Sequence, residues 1–322
     1  MKIIFFGDSN WAALSLYKLI QDGHTIPAVV IRKHPSDITL QQAAAEYGIQ
    51  ILQPDNVNSG AFRNTIKSLS PDLNLSCSYD QIIRKPILHS APLGFANVHA
   101  GDLPFYRGRN VINWAIINGE THIGITVHYM DESIDTGDII SQTTIPIEWS
   151  HTYNDVLQNV TSAIPETLSE AVTKIGLAAP NSTPQNSSQG TYFCKRDWGD
   201  EWIDWSDTSL NIYNKIRAIT KPGPGARTLY EEQTVIIWSA QYNPLWPKYI
   251  ATPGQVVGRD TSGCFVKTGD STILICEVQF LNEAITKATW KIGTRLCLDI
   301  QQQLSNLQNR IAYLEKLLLD NK

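Results

Sequence analysis

The stretch MKIIFFGDSNWAALSLYKLIQDGHTIPAVVIR, residues 1–32, holds three segments of different period. Met1 to Phe6 is a short apolar run closed by Gly7, the pattern of a strand buried on both faces. Asn10 to Gln21 carries apolar residues at helical spacing, with Ser9 or Asn10 available as the N-cap. Thr25 to Arg32 returns to a β-rich run. Strand, helix and strand in so short a span form a crossover unit, which sets the two strands parallel.

The alternation continues along the chain. Thr39 to Tyr47 reads as a helix stopped by Gly48, Ile49 to Gln53 as a short strand, Gly60 to Leu69 as a helix and Asp72 to Cys77 as a strand. Gly94 to His99 is a further strand, and Val111 to Asn118 a helix stopped by Gly119. Gly124 to Met130 and Asp138 to Ile147 are strands, and Thr152 to Lys174 is a long amphipathic helix. This order predicts an α/β domain over residues 1–178, with a doubly wound, mostly parallel sheet. Residues 179–190, APNSTPQNSSQG, read as a linker. Ser209 to Ile219 is helical, and short strand-like runs separated by turns follow, so residues 191–292 are expected to form a smaller β-rich, antiparallel domain. In the last segment, 293–322, Ile300, Leu304, Leu307, Ile311, Leu314 and Leu318 are spaced 4, 3, 4, 3, 4. That a/d pattern predicts a C-terminal helix that pairs two copies into a homodimer, or else packs on its own domain.

The chain has 322 residues and a net charge of −5. Residues 191–322 hold 15 Lys and Arg against 14 Asp and Glu, a net of 15 − 14 = +1. Neither figure provides the basic field that nucleic-acid binding draws on. The five cysteines, Cys77, Cys194, Cys264, Cys276 and Cys297, are scattered, with no zinc or redox spacing, so reduced thiols and a cytoplasmic location are expected. The N-terminal apolar run is too short for a signal peptide, and no run is long enough to span a membrane.

A second stretch, Asn97 to Asn110 (NVHAGDLPFYRGRN), carries the chemistry. Asn97 and His99 are two apart on a predicted strand, so their side chains share a face where the strand ends. Sites in open α/β sheets form at such carboxyl ends. An imidazole exchanges protons near neutral pH, and a carboxamide donates to an oxyanion. A carboxylate to orient the imidazole is available in the loop Asp131 to Asp138, where Asp131, Glu132, Asp135 and Asp138 compete for the role. The remaining histidines, His24, His34, His89, His122, His128 and His151, read as ordinary surface or core residues. No ligand cluster with metal spacing is present.

Asn97-x-His99, Leu103-Pro104-x-Tyr106-Arg107-Gly108, Asn113-Trp114, Gly119-Glu120, Gly124-Ile125-Thr126-x-His128 and Asp135-Thr136-Gly137-Asp138-Ile139-Ile140 follow one another in order. Together they resemble the formyltransferases that use 10-formyltetrahydrofolate, a family that includes methionyl-tRNA formyltransferase and sugar N-formyltransferases. Ile203-Asp204-Trp205, Ile212-Tyr213-x-x-Ile216-Arg217-Ala218 and Pro222-x-Pro224-Gly225-Ala226 resemble the start of that family's C-terminal domain. The resemblance covers most of the chain apart from the heptads. It implies a Rossmann-like folate-binding domain and no metal. It places the catalytic Asn, His and Asp on Asn97, His99 and Asp135, so the choice among the acids comes from the resemblance. It also implies that backbone groups near Tyr79, Ile82, Ile83, Asp131 and Ser133 hold the folate. Acyl transfer follows: His99 takes the amine proton, Asn97 and protonated His99 stabilise the oxyanion, and Asp135 orients His99.

Where many members read Ser-Leu-Leu-Pro, this chain has Gly101-Asp102-Leu103-Pro104. Asp102 is a candidate to bind the substrate ammonium or to cap the turn. For the acceptor, a nucleotide-linked amino sugar is favoured over methionyl-tRNA or a hydroxyornithine-type amine. dTDP is the first choice and UDP the second, with the product going to surface polysaccharide such as O-antigen. A non-catalytic dimeric scaffold is the alternative from another class. Arg107 and Arg109 are candidates to meet a pyrophosphate. Asn10 is placed beside the substrate, and Trp11, Tyr192, Trp198 and Trp202 are candidates to stack on a base.

Overall fold

The computed structural model describes residues 1–177, 182–186, 188–231, 233–296, 304, 307–314 and 316. The chain divides into two compact units, Met1–Asp197 and Trp198–Lys322.

The first unit begins with β1 (Lys2–Gly7), α1 (Ser9–Gln21), β2 (Thr25–Ile31), α2 (Thr39–Glu46), β3 (Gln50–Leu52), α3 (Gly60–Leu69) and β4 (Leu73–Cys77). It continues with α4 (Lys85–Leu88), β5 (Phe95–His99), β6 (Arg107–Gly108), α5 (Val111–Ile117), β7 (His122–Tyr129), β8 (Ile139–Pro146), α6 (Tyr153–Ile175) and β9 (Tyr192–Phe193). Seven strands form one sheet in the order β3-β2-β1-β4-β5-β7-β8. The pairs from β3 through β5 are parallel, whereas β7 runs antiparallel to both β5 and β8. The predicted α/β, mostly parallel sheet is therefore present, with an antiparallel edge.

Burial follows from sequence. Ile3 to Phe6 are fully buried, as an uninterrupted apolar run between two helical layers requires. Ile4 and Phe6 face a cluster with Phe62, Ile66, Ile87 and Phe95, and the Phe6 and Phe95 rings lie 4.9 Å apart. Removing such a ring costs about 3–5 kcal/mol. On the other side, α1 packs on α2 and α6, and α5 on α6. Ser59 caps α3 by accepting the Phe62 amide at 3.2 Å, and Asp155 caps α6 by accepting the Thr152 amide at 2.8 Å. The N-cap of α1 is Asp8, not Ser9 or Asn10. Its carboxylate is drawn away from the helix by Arg32, 3.2 Å distant, and by the Ser36 amide at 3.0 Å.

Residues beyond α6 return to the sheet. Thr183 bridges to Ile139, and β9 pairs in parallel with β6, Arg107 opposite Tyr192 and Gly108 opposite Phe193.

The second unit contains α7 (Ser209–Ile219), β10 (Ala226–Tyr230), β11 (Gln233–Gln241), β12 (Val256–Arg259), β13 (Cys264–Lys267), β14 (Thr272–Phe280) and β15 (Thr286–Lys287). Its strands are antiparallel, in the order β10-β11-β14-β13-β12 with β15 on β14, and α7 packs on β11. Residues 307–314 are helical, and Leu304, Leu307, Ile311 and Leu314 are exposed. Ile300 and Leu318, the outer heptad positions, lie outside the described residues. Among the described residues no helix is long and apolar enough to cross a membrane.

Candidate active site

The sheet order reverses between β1 and β4, and a cavity of about 610 Å³ opens at the carboxyl ends of these strands and of β5. Asn97, His99 and Asp135 all line it.

Asn97 and His99 share a face of β5, and β7 completes the arrangement from the neighbouring register. Asn97 stands opposite His128, and His99 opposite Thr126. The β7–β8 register slips between Val127 and His128, an irregularity of the kind that re-aims side chains. His128 is thus a member of the site, not an ordinary core histidine. Its Nδ1 donates to the Tyr129 carbonyl at 2.8 Å, which leaves Nε2 to accept from the Asn97 amide at 3.3 Å. The sequence signal was Thr126-x-His128, which mirrors Asn97-x-His99, but only the pairing of β5 with β7 brings the two together.

Asp135 comes from a tight loop. Its φ is +55°, and its Oδ2 accepts the Gly108 amide at 2.9 Å. Each carboxylate oxygen faces one imidazole: Oδ2 lies 3.6 Å from His99 Nδ1 and Oδ1 lies 3.6 Å from His128 Nε2. Gln185 secures the loop by donating to the carbonyls of Asp135 at 3.0 Å and Gly137 at 2.7 Å.

Burial on its own pushes the Asp135 carboxyl up. The charges that His99 and His128 carry when protonated, together with the Gly108 amide, outweigh it and hold the group well below the usual carboxylate range. Burial pushes His99 below its ordinary value, while the Asp135 charge and the Tyr106 carbonyl push back and His128 adds to the lowering. The site therefore pairs an ionised Asp135 with an imidazole that is neutral at pH 7, the protonation state of a general base.

The other expected residues divide. Trp11, Tyr79, Ile82 and Arg109 line the cavity. Asn10, Asp131 and Ser133 do not; the Asp131 carboxylate instead turns the loop by accepting the Ser133 amide and the Thr136 hydroxyl. Ile83 belongs to the core beside Ile87. Arg107 is 7 % exposed, its guanidinium donates to Gln185 at 2.8 Å, and it does not line the cavity. Asp102 lies in the wall of a second cavity of about 420 Å³, 3.9 Å from His122. Arg32, Ser36 and Lys195 line the first cavity and carried no motif in the sequence. Tyr192 also lines it, whereas Trp198 and Trp202 belong to the second unit. The Cys77 thiol is pushed up to about 12 by burial, which disfavours its thiolate.

Residues 1–172 match the formyl transferase family and residues 197–293 match the formyl transferase C-terminal domain. The chain is 33% identical over 290 residues to methionyl-tRNA formyltransferase of Ruminiclostridium cellulolyticum, covering 87% of this chain and 92% of that one. Among solved structures, it resembles the sugar 3N-formyl transferase WlaRD, determined with dTDP and 5-N-formyl-THF. The TM-score is 0.68 at 23% identity, over 88% of this chain and 99% of that one. It equally resembles the N-formyltransferase from Helicobacter canadensis determined with folinic acid and dTDP-3-aminofucose. There the TM-score is 0.68 at 22% identity, over 87% and 99% of the two chains. The last two show a shared fold. The matches to the family over both units and the 33% identity to a relative establish that this chain belongs to the formyl transferase family, whose members transfer formyl groups.

Proposed function

We propose that this enzyme moves a formyl group from 10-formyltetrahydrofolate to the amine of a nucleotide-linked amino sugar, with Asn97, His99 and Asp135 as its catalytic residues. The carrying observation is that these three side chains meet at one wall of the large cavity. A folate suits that cavity: Tyr79 Oη and Trp11 Nε1 in its walls are buried without a hydrogen-bond partner, and residues 79–82 border it. Tyr79, Ile82 and the loop bearing Asp135 would hold the folate, which supplies the formyl carbon when bound. Neutral His99 takes the proton of the attacking amine. The new carbon–nitrogen bond forms as the bond to the folate nitrogen breaks, and His99 returns the proton to that nitrogen. Asn97, fixed by His128, donates to the oxygen on which charge develops. Asp135 balances the charge on His99.

The acceptor follows from the remaining walls. Arg109 and Lys195 offer cationic groups for a pyrophosphate, and Trp11 and Tyr192 offer ring faces for a base. The two solved formyltransferases with this fold were determined with dTDP and with dTDP-3-aminofucose. The relatives named methionyl-tRNA formyltransferase support a second reading, in which the acceptor is that tRNA. The net charge of −5 speaks against it. We also propose that the heptad helix pairs two copies of the chain.

The test is a mass-spectrometric screen of the protein with 10-formyltetrahydrofolate and dTDP-, UDP- and GDP-linked amino sugars, with methionyl-tRNA and an N-hydroxylated amine alongside. A formylated sugar is expected, reduced about 10²- to 10⁴-fold in His99→Asn. Product with methionyl-tRNA alone, formed at a rate that falls steeply with salt, would move the assignment to the second reading.

A further inference from the structure

Gly101 follows the catalytic strand by two residues, and its backbone is not in the left-handed region that favours glycine. The reason for its missing side chain is spatial. A Cβ there would lie 2.4 Å from His99 Nε2, 2.8 Å from His99 Cδ2 and 2.5 Å from the Tyr106 carbonyl oxygen. Between that ring nitrogen and that oxygen runs a hydrogen bond of 2.6 Å. A side chain at residue 101 and this hydrogen bond would occupy the same space.

The carbonyl is fixed from several sides. Thr126 Oγ1 donates to the Gly101 carbonyl at 2.7 Å, and Gln142 donates to the Leu103 carbonyl at 2.8 Å, which ties the turn to β7 and β8. Tyr106 sits at φ +56°, a conformation that a non-glycine residue keeps only when its surroundings impose it. Its amide donates to Thr191 Oγ1 at 2.9 Å, its hydroxyl donates to Glu120 at 2.6 Å, and its ring stacks on Phe193 at 4.9 Å.

The two nitrogens of His99 therefore both face acceptors, Nε2 the Tyr106 carbonyl and Nδ1 the Asp135 carboxylate. A neutral imidazole carries one N–H and serves one of them, whereas an imidazolium carries two and serves both. A carbonyl can only accept, so at 2.6 Å it places the single proton of neutral His99 on Nε2. His128 is the other titratable group nearby, beyond Asp135, and Asn97 is bonded to it.

We propose that Gly101 is a positioning residue that admits the Tyr106 main-chain carbonyl as a second acceptor for His99, so that this carbonyl and Asp135 together hold the imidazolium formed on proton uptake from the acceptor amine. The proposal rests on His99 being the base. His99 gains one proton and one positive charge, the amine nitrogen loses them as it bonds to the formyl carbon, and the proton leaves with the departing folate nitrogen.

The experiment follows the ring nitrogens of ¹⁵N-histidine-labelled full-length protein against pH, with His99 assigned by its loss in His99→Asn. In the wild type, the neutral ring is expected to carry its proton on Nε2. In Gly101→Ala and Gly101→Ser, the titration midpoint of His99 should fall by about one pH unit. The turnover rate should fall about tenfold, and the acid limb of the rate profile should move to lower pH. An unprotonated Nε2 in the neutral wild-type ring overturns the proposal without any variant. So does an unchanged midpoint in a variant whose circular dichroism matches the wild type. Full formyl transfer by His99→Asn would instead sink the base assignment, and the nitrogen titration would still report on the hydrogen bond that Gly101 admits.

Discussion

Asp135 answers to two imidazoles, and its ionisation shapes the pH response of the site. Its folded pKa lies below the unfolded value, so its charge stabilises the fold above about pH 4. That contribution is lost as the pH falls through the folded value. His99 is shifted downward as well, so its basic form dominates at neutral pH. kcat/KM should rise with pH through a midpoint below 6.5, the ordinary histidine value, and then level off. In Asp135→Asn the ring loses the charge that raises its proton affinity. The acid limb should then move still lower while the plateau falls, as a pH–rate profile would register. His128→Ala should release the Asn97 carboxamide and lower kcat by up to about 10²-fold, with KM for the acceptor within about twofold. At this scale the sequence was partly legible. Asn97 and His99 stood out because period two places them on one face of one strand. His128 did not, because its role depends on the strand that pairs with β5, and pairing is a tertiary fact. Arg107 read as a cation for a pyrophosphate, and its partner Gln185, distant in sequence, could not be read beside it.

Among the elements, β1 and β2 were readable as short apolar runs buried on both faces, and β4 as a short strand despite its buried Asn74 and Ser76. The start of α1 was less so, since Asp8 serves Arg32 and Ser36 and does not cap the helix with its side chain. The two-residue pairing of β6 with β9 has no periodicity to betray it, yet it fixes the amide that Asp135 accepts. The loop between β7 and β8 is equally constrained. A Cβ on Gly137 would lie 1.9 Å from the Tyr129 carbonyl oxygen. Gly137→Ala should therefore displace the loop and cost roughly 1–3 kcal/mol of stability. Chemical denaturation would measure that cost, with activity lost in the same variant.

For the molecule as a whole, the proposed pairing of two copies rests on the heptad face. Leu304, Leu307, Ile311 and Leu314 are 54%, 57%, 55% and 51% exposed, an apolar stripe of the width that a second helix covers. With Leu304 and Ile311 at a and Leu307 and Leu314 at d, Arg310 falls at g and Glu315 at the following e. Those positions attract one another across a parallel pair. Sedimentation of the wild type should give a dimer. Leu307→Asp combined with Leu314→Asp should give a monomer whose formyl transfer per chain is unchanged. A monomeric wild type would refute the pairing.

The return of residues 182–186 and 188–196 to the sheet of the first unit also bears on where the chain can be divided. Gln185 fastens the loop of Asp135, and Tyr192 and Phe193 complete the turn that presents Gly108 to it. A fragment ending with α6 would keep Asn97 and His99 on β5 but lose the fastenings of their carboxylate. Formyl transfer should therefore be lost in such a fragment, and cleavage of the chain near Asn186 should have the same effect although Asn186 does not line the cavity.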